Sequence, residues 1–187
     1  MKTTDETKSV TGTIEGNAYT NKFFSVEFAL PEGFSYYDAE QLADMNAAIA
    51  NTNDNQAVVE AFEGGSAFFD MAAAAESDPN VSVVVQIAGP DAAAPDEAGY
   101  IAMIEDKVFD QLKAADITVK NSEAVTYTNG KTGDEFAAMK LAIEMQGAPM
   151  CEEIVCIKAG DYFMNVTATA NNEAELDSIL DHLARIR

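Results

Sequence analysis

Positive charge is scarce in this chain. Its 187 residues carry 11 Lys and Arg against 32 Asp and Glu, a formal net charge of −21. Affinity for phosphate backbones and anionic headgroups comes from basic side chains that neutralise phosphate. Nucleic-acid binding and charge-driven membrane binding are therefore excluded as roles. The acidity reads first as solubility through self-repulsion, with salt adaptation as one form of it. The functional alternatives are a cation or a partner protein with a basic surface.

Catalytic and metal-binding residue types are also few. The one histidine, His182, stands beside Asp181 and one helical turn after Ser178. A catalytic triad needs a histidine bonded to its nucleophile and oriented by a third group. A Ser–His pair on one helix does not supply that, so His182 reads as exposed and inert. Gly64-Gly65-Ser66 lacks the following glycine of a nucleophile elbow and reads as a turn. No phosphate loop or dinucleotide fingerprint appears. Paired carboxylates are too numerous for any pair to be singled out. No catalytic residue, metal ligand or cofactor is expected.

Two cysteines are present, both in Cys151-Glu-Glu-Ile-Val-Cys156. Read as one strand, the segment separates their Cα atoms by about 16 Å and puts them on opposite faces. A disulfide needs about 7 Å or less, so both thiols should be free, and a zinc site lacks ligands. Free thiols fit a reducing cytoplasm or export into an anaerobic setting. Asn51, Asn53 and Asn55 alternate like the start of a calcium loop. Gln56 and Phe62, however, occupy the positions where such a loop needs Gly and Glu, and the stretch reads as an interhelical turn.

Long apolar runs are missing too, so no membrane-spanning segment is expected. Residues 1–10 lack an apolar signal core and read as a flexible polar tail. Residues 11–187 read as a single domain, large enough to fold without disulfide or metal.

Within that domain, Thr11–Glu15 reads as a strand and Gly16-Asn17 as a turn. Phe24, Val26, Phe28 and Leu30 then alternate as a half-buried strand. Asp38 with Gln41 forms a capping box for a helix carrying Leu42, Met45 and Ile49. Asp54 can cap a second helix with Val58, Val59 and Phe62, which Gly64-Gly65 ends. Phe68–Ala75 and Val81–Ile87 are strands, the second central because Val84 adds an apolar side chain to its other face. After a Gly89–Pro95 loop, Ile101, Ile104, Val108, Leu112 and Ala115 mark the longest helix.

Four strands complete the sheet. They run over 117–128, through Met139–Met145, over 151–158 and over 162–170, with Asn129-Gly130 as a hairpin signal. Asn172 with Glu175 caps a last helix, striped by Leu176, Ile179, Leu180, Leu183 and Ile186. Arg185 and Arg187 then fall near its C-terminus, where the helix dipole favours them. Tight turns make consecutive strands antiparallel, and the helices can cover both sheet faces.

Gly16-Asn-Ala-Tyr19-Thr-Asn21-Lys-Phe-Phe24, then Phe28-Ala-Leu-Pro31-Glu-Gly33-Phe34, resembles the opening of PsbP-like domains in secreted lipoproteins of gut Firmicutes. In those a Tyr-x-Asn hairpin leads to a Pro-x-Gly-Trp junction, and Phe34 stands here for the Trp. Phe69-Asp70-Met71-Ala72-Ala73 resembles their next strand. The resemblance implies an α+β fold, a three-layer α/β/α sandwich around a mainly antiparallel sheet. It also implies tethering outside the cell membrane through a lipidated cysteine not present in this chain. The wider fold includes a photosystem extrinsic subunit and a Ran-binding factor, which implies docking to other proteins as its recurring role and little about activity.

The expected function is thus a non-enzymatic, extracytoplasmic binding or adaptor domain, monomeric, with a basic protein surface as the expected partner. The alternatives are a small-ligand carrier with an apolar groove near an aromatic junction, a carboxylate-dependent enzyme, and a cytoplasmic location. Phe34, Tyr36 and Tyr37 are the candidate ligand-binding residues at that junction.

Overall fold

The computed structural model describes residues 10–52, 56–89, 94 and 96–187. Its strands are β1 Thr13–Glu15, β2 Ala18–Asn21, β3 Val26–Ala29, β4 Phe34–Tyr36, β5 Ala67–Ala75, β6 Ser82–Ala88, β7 Ile117–Thr128, β8 Glu135–Met145, β9 Ala148–Ala159, β10 Tyr162–Ala170 and β11 Leu183–Arg185. Helices α1 Ala39–Thr52 and α2 Gln56–Glu63 lie between β4 and β5, α3 Glu97–Ala114 follows β6, and α4 Glu173–Leu180 precedes β11. Seven strands form the main sheet in the order β4-β5-β6-β10-β9-β8-β7, and a second sheet has the order β1-β2-β3-β11. Their pairings are all antiparallel. The protein is an α/β/α sandwich of mixed α+β class.

The capping boxes hold as read. Asp38 Oδ1 accepts from Gln41 N at 2.9 Å while Asp38 N donates to Gln41 Oε1 at 2.9 Å. Asn172 Oδ1 accepts from Glu175 N at 3.0 Å. Helix α2 ends at Gly64-Gly65, where Gly65 takes φ +70°, the left-handed conformation that glycine reaches most easily. The expected Asp54 cap, the Asn53–Asn55 part of the calcium-like turn, most of the Gly89–Pro95 loop and the tail up to Ser9 lie outside the described residues. Asn51 itself is helical, within α1. Val10, read as part of the tail, is buried, and its carbonyl accepts from Asn21 Nδ2 at 2.8 Å.

Each face of the main sheet carries its own core. Met71, Val85, Met164 and Val166 point to the face covered by the second sheet and α4, where Tyr19, Phe28, Leu176 and Leu180 meet them. Met139, Leu141, Ile143 and Ile154 point to the opposite face, beneath Tyr100, Ile101 and Ile104 of α3. Strand β9 feeds both. Cys151 packs against the first core and Cys156 belongs to the second, and both are free thiols.

The resembling segments meet in space. Asp70 Oδ2 accepts from Tyr19 Oη at 2.5 Å and from Gly12 N at 2.7 Å, and Asn21 Nδ2 donates to Tyr19 Oη at 3.1 Å. Asn21 Oδ1 accepts from Phe23 N and Phe24 N, both at 3.1 Å. This cluster ties the second sheet to β5. Gly12 is needed there because a Cβ would sit 2.3 Å from the Tyr19 ring.

The chain's last turn differs from the reading. Helix α4 stops at Leu180, and Leu183–Arg185 is a strand paired with β3, Leu183 opposite Phe28. Leu183 satisfies a helical and an extended period equally, and the unpaired edge of β3 decides between them. Asn129 Nδ2 holds the turn by donating to Asp181 O at 3.1 Å and Leu183 O at 2.6 Å. Asn129 therefore builds no two-residue hairpin. Its Oδ1 accepts from Lys131 N and Thr132 N at 2.8 Å each, in a longer loop. Arg185 and Arg187 lie beyond the helix, and His182 is half-buried beside Phe28 with its carbonyl accepting from Ala29 N at 3.1 Å.

Candidate functional site

The α3 face of the main sheet is only partly covered, for reasons visible in how each helix is held. Asp96 caps α3 by accepting from Gly99 N at 2.7 Å. One turn in, the Tyr100 ring stacks on Phe163 of β10, centroids 4.2 Å apart and 8° from parallel. That stack fixes the start of α3 above β9 and β10. At the far edge, β4 pairs with β5 only from Ala73 to Ala75. The remaining edge groups of Phe69 are taken by Asn46 of α1, whose Oδ1 accepts from Phe69 N at 2.8 Å while its Nδ2 donates to Phe69 O at 3.4 Å. Phe62 of α2 leans on the Phe69 ring at 5.4 Å. Two helical walls thus stand apart over the middle of the sheet.

Between them lies a cleft of about 460 Å³, within the range of small-molecule sites. Met45, Phe62 and Phe69 form one wall, and Ile104, Val108 and Leu112 the other. Its floor is polar. Asn165, Thr167 and Thr169 alternate along β10, Gln86 neighbours Asn165 on β6, and Glu152 lies opposite Thr169 on β9.

Two floor groups are under-satisfied. Asn165 is 4% exposed; its Nδ2 donates to Tyr100 Oη at 3.1 Å, but its Oδ1 has no partner among the described residues. Turning the amide over would merely leave its nitrogen unpaired instead. Glu152 is 7% exposed and receives one hydrogen bond, from Thr169 Oγ1 to Oε2 at 3.3 Å. Burial pushes its carboxyl up to about 7, with only the Thr169 bond opposing. Burial also pushes Tyr100 up to about 12 and the Cys156 thiol upward. Cys156 is thus an inert thiol at neutral pH.

The candidate junction residues lie elsewhere. Phe34 and Tyr36 belong to edge strand β4, half-buried against the opposite core, and Tyr36 Oη donates to Asn17 O at 3.3 Å. Tyr37 N donates to Ala72 O at 2.9 Å. None of the three lines the cleft. Sequence reasoning passed over Glu152 and Asn165. The available signals were adjacent glutamates in a strand apolar on both faces, and the Asn-x-Thr-x-Thr alternation in the next. Among the described residues, no group of three or more His, Cys, Asp or Glu could hold a metal ion, and no helix is long and apolar enough to cross a membrane.

No family model and no curated protein sequence matches the chain. Among solved structures, the solution structure of cyanobacterial PsbP (CyanoP) from Synechocystis sp. PCC 6803 superposes with a TM-score of 0.51 at 10% identity, over 93% of this chain and 98% of that one. The fold is PsbP-like. A crystal structure from Bacteroides thetaiotaomicron VPI-5482 aligns at a TM-score of 0.44 and 10% identity, over 93% of this chain and 50% of that one. Within the PsbP-like fold, the Tyr19, Asn21 and Asp70 positions of the resembling segments act as a structural clasp, on the side of the sheet away from the cleft.

Proposed function

We propose that this PsbP-like chain is a non-enzymatic, extracytoplasmic binding domain, the soluble part of a lipoprotein, and that it binds a small apolar ligand in the cleft between α1–α2 and α3. One observation carries the reading: an apolar-walled cleft of about 460 Å³, the size of a small-molecule site, over a floor that carries Asn165, Thr167, Thr169 and Glu152. Export accords with the resemblance to secreted lipoprotein domains.

Fluorescence titration with the neutral apolar dye Nile red tests the binding role. The expected result is saturable binding of about one dye per chain, abolished when Ala88→Trp fills the cleft. Unsaturable binding, or identical binding by a folded Ala88→Trp variant, would sink the proposal.

A further inference from the structure

We propose that the cleft takes an apolar amine, with its ammonium group against Glu152 and its hydrocarbon body between the helical walls. The inference rests on the binding role above and names the ligand's chemistry.

Glu152 is the only acidic residue on the described cleft floor, and no basic side chain is set against it. The one basic residue among the described lining residues, Lys107, is exposed on α3 at the rim. A buried carboxyl in such surroundings either keeps its proton or requires a cation. An ammonium group supplies that cation and brings the hydrogen-bond donors that the single Thr169 contact leaves wanting. Thr169 Oγ1 spends its proton on Glu152, so its lone pairs stay open to a second N–H of the same head group. Asn165 stands four residues further along β10, on the order of 13 Å away. That is too far for the same head group. An alkyl carboxylate would confront Glu152 with like charge, and an alcohol would forgo the ionic attraction. A net charge of −21 also concentrates cations near the protein and repels anions.

The test uses three probes of equal chain length, octylamine, 1-octanol and octanoate, titrated calorimetrically at moderate salt. Octylamine should bind at least about tenfold more tightly than octanol, as a charge-assisted contact requires, and octanoate should not bind measurably. E152Q should erase the amine preference. E153Q removes the same charge from the other face of β9 and should keep it, which separates a specific contact from the diffuse acidic field. Thermal melts establish that both variants fold. A measurement on the unmodified protein guards against a variant that does not. At pH 6, octylamine binding compared between buffers of different ionisation enthalpy should release about one proton per chain, while octanol releases none. Equal affinities, tight octanoate binding, a preference surviving E152Q or lost in E153Q, or no proton release would each overturn the inference. Saturable Nile red binding alongside any of these leaves the binding role standing; its absence sinks both.

Discussion

Glu152 and Glu153 are neighbours in one strand, yet they face different worlds. Glu153 points to the side closed by the second sheet and α4, is 1% exposed, and lies within reach of Lys140, Asp177 and Glu173. Glu152 points into the cleft with Thr169 as its partner. Burial dominates both and pushes each carboxyl up to about 7; only Glu153 has a basic neighbour that opposes this, and its acidic neighbours reinforce the rise. The contrast extends to the two faces as wholes. On the closed side Met71, Val85, Met164, Leu176 and Leu180 fill the space with apolar side chains. The other side leaves Asn165, Thr167 and Thr169 beneath an opening. Packing fills one face, although Glu153 Oε2 there has no hydrogen-bond partner among the described residues, and the other face keeps an open cleft.

Truncations on the two faces should accordingly differ in cost. Leu180→Ala, at a fully buried position, should cost about 2–5 kcal/mol, the range for a large-to-small change in a packed core. Leu112→Ala, on the half-buried cleft wall, removes the same atoms and should cost less than half as much. Urea melts measure both, and equal losses would mean that the cleft side is packed as tightly as the closed side.

Titration probes the glutamates directly. A carboxyl with a raised value in the folded chain holds its proton better there than when unfolded. Its contribution is therefore favourable below about 4.5 and disappears as pH climbs through about 7. For Glu152 that loss is on the order of 3 kcal/mol, and Glu153 acts in the same direction. Urea midpoints at pH 5.5 and 8.5 should show the wild type weaker at the higher pH. E152Q and E153Q should each flatten the decline, and a variant that declines as steeply as wild type would exempt its glutamate.

Asp181 tests how far the closed side extends. As a helix-flank residue it should be nearly dispensable. The structure gives it Tyr127 Oη at 2.8 Å and Gly130 N at 2.6 Å as donors. Asp181→Ala should then cost about 1–3 kcal/mol, read from the same urea melts. A loss under about 0.5 kcal/mol would return it to the ordinary surface. The smallest effect is expected at the aromatic junction. Tyr37→Ser should shift Nile red affinity by less than about twofold, since Tyr37 does not line the cleft. A larger shift would move the binding site toward Phe34 and Tyr36.

What was legible in the residues was whatever depends on near neighbours. Asp38 with Gln41 and Asn172 with Glu175 announce helix starts three residues ahead. The alternation of Val81, Val83, Val85 and Ile87 marks a strand whose neighbours on both sides the structure supplies as β5 and β10. The opposed faces of Cys151 and Cys156 followed from spacing alone. Strands β2, β4 and β11 were not legible. Ala18–Asn21 is too short to show a period, and Leu183 fits two periods until β3 offers its edge. The candidate site was illegible for a related reason. Whether Glu152 lies under solvent or under a helical wall depends on which strands become neighbours, and β10 reaches β6 only across α3 and three further strands.

The pairing of β11 with β3 also sets an order of events. Residues 26–29 leave the ribosome early, whereas the strand that completes their sheet emerges only with residues 183–185. Until then the β3 edge has no strand beside it, and an unpaired strand edge is open to pairing with another chain. Strand β11 thus covers the edge of β3 last, and the edges of the finished small sheet are β1 and β11 themselves.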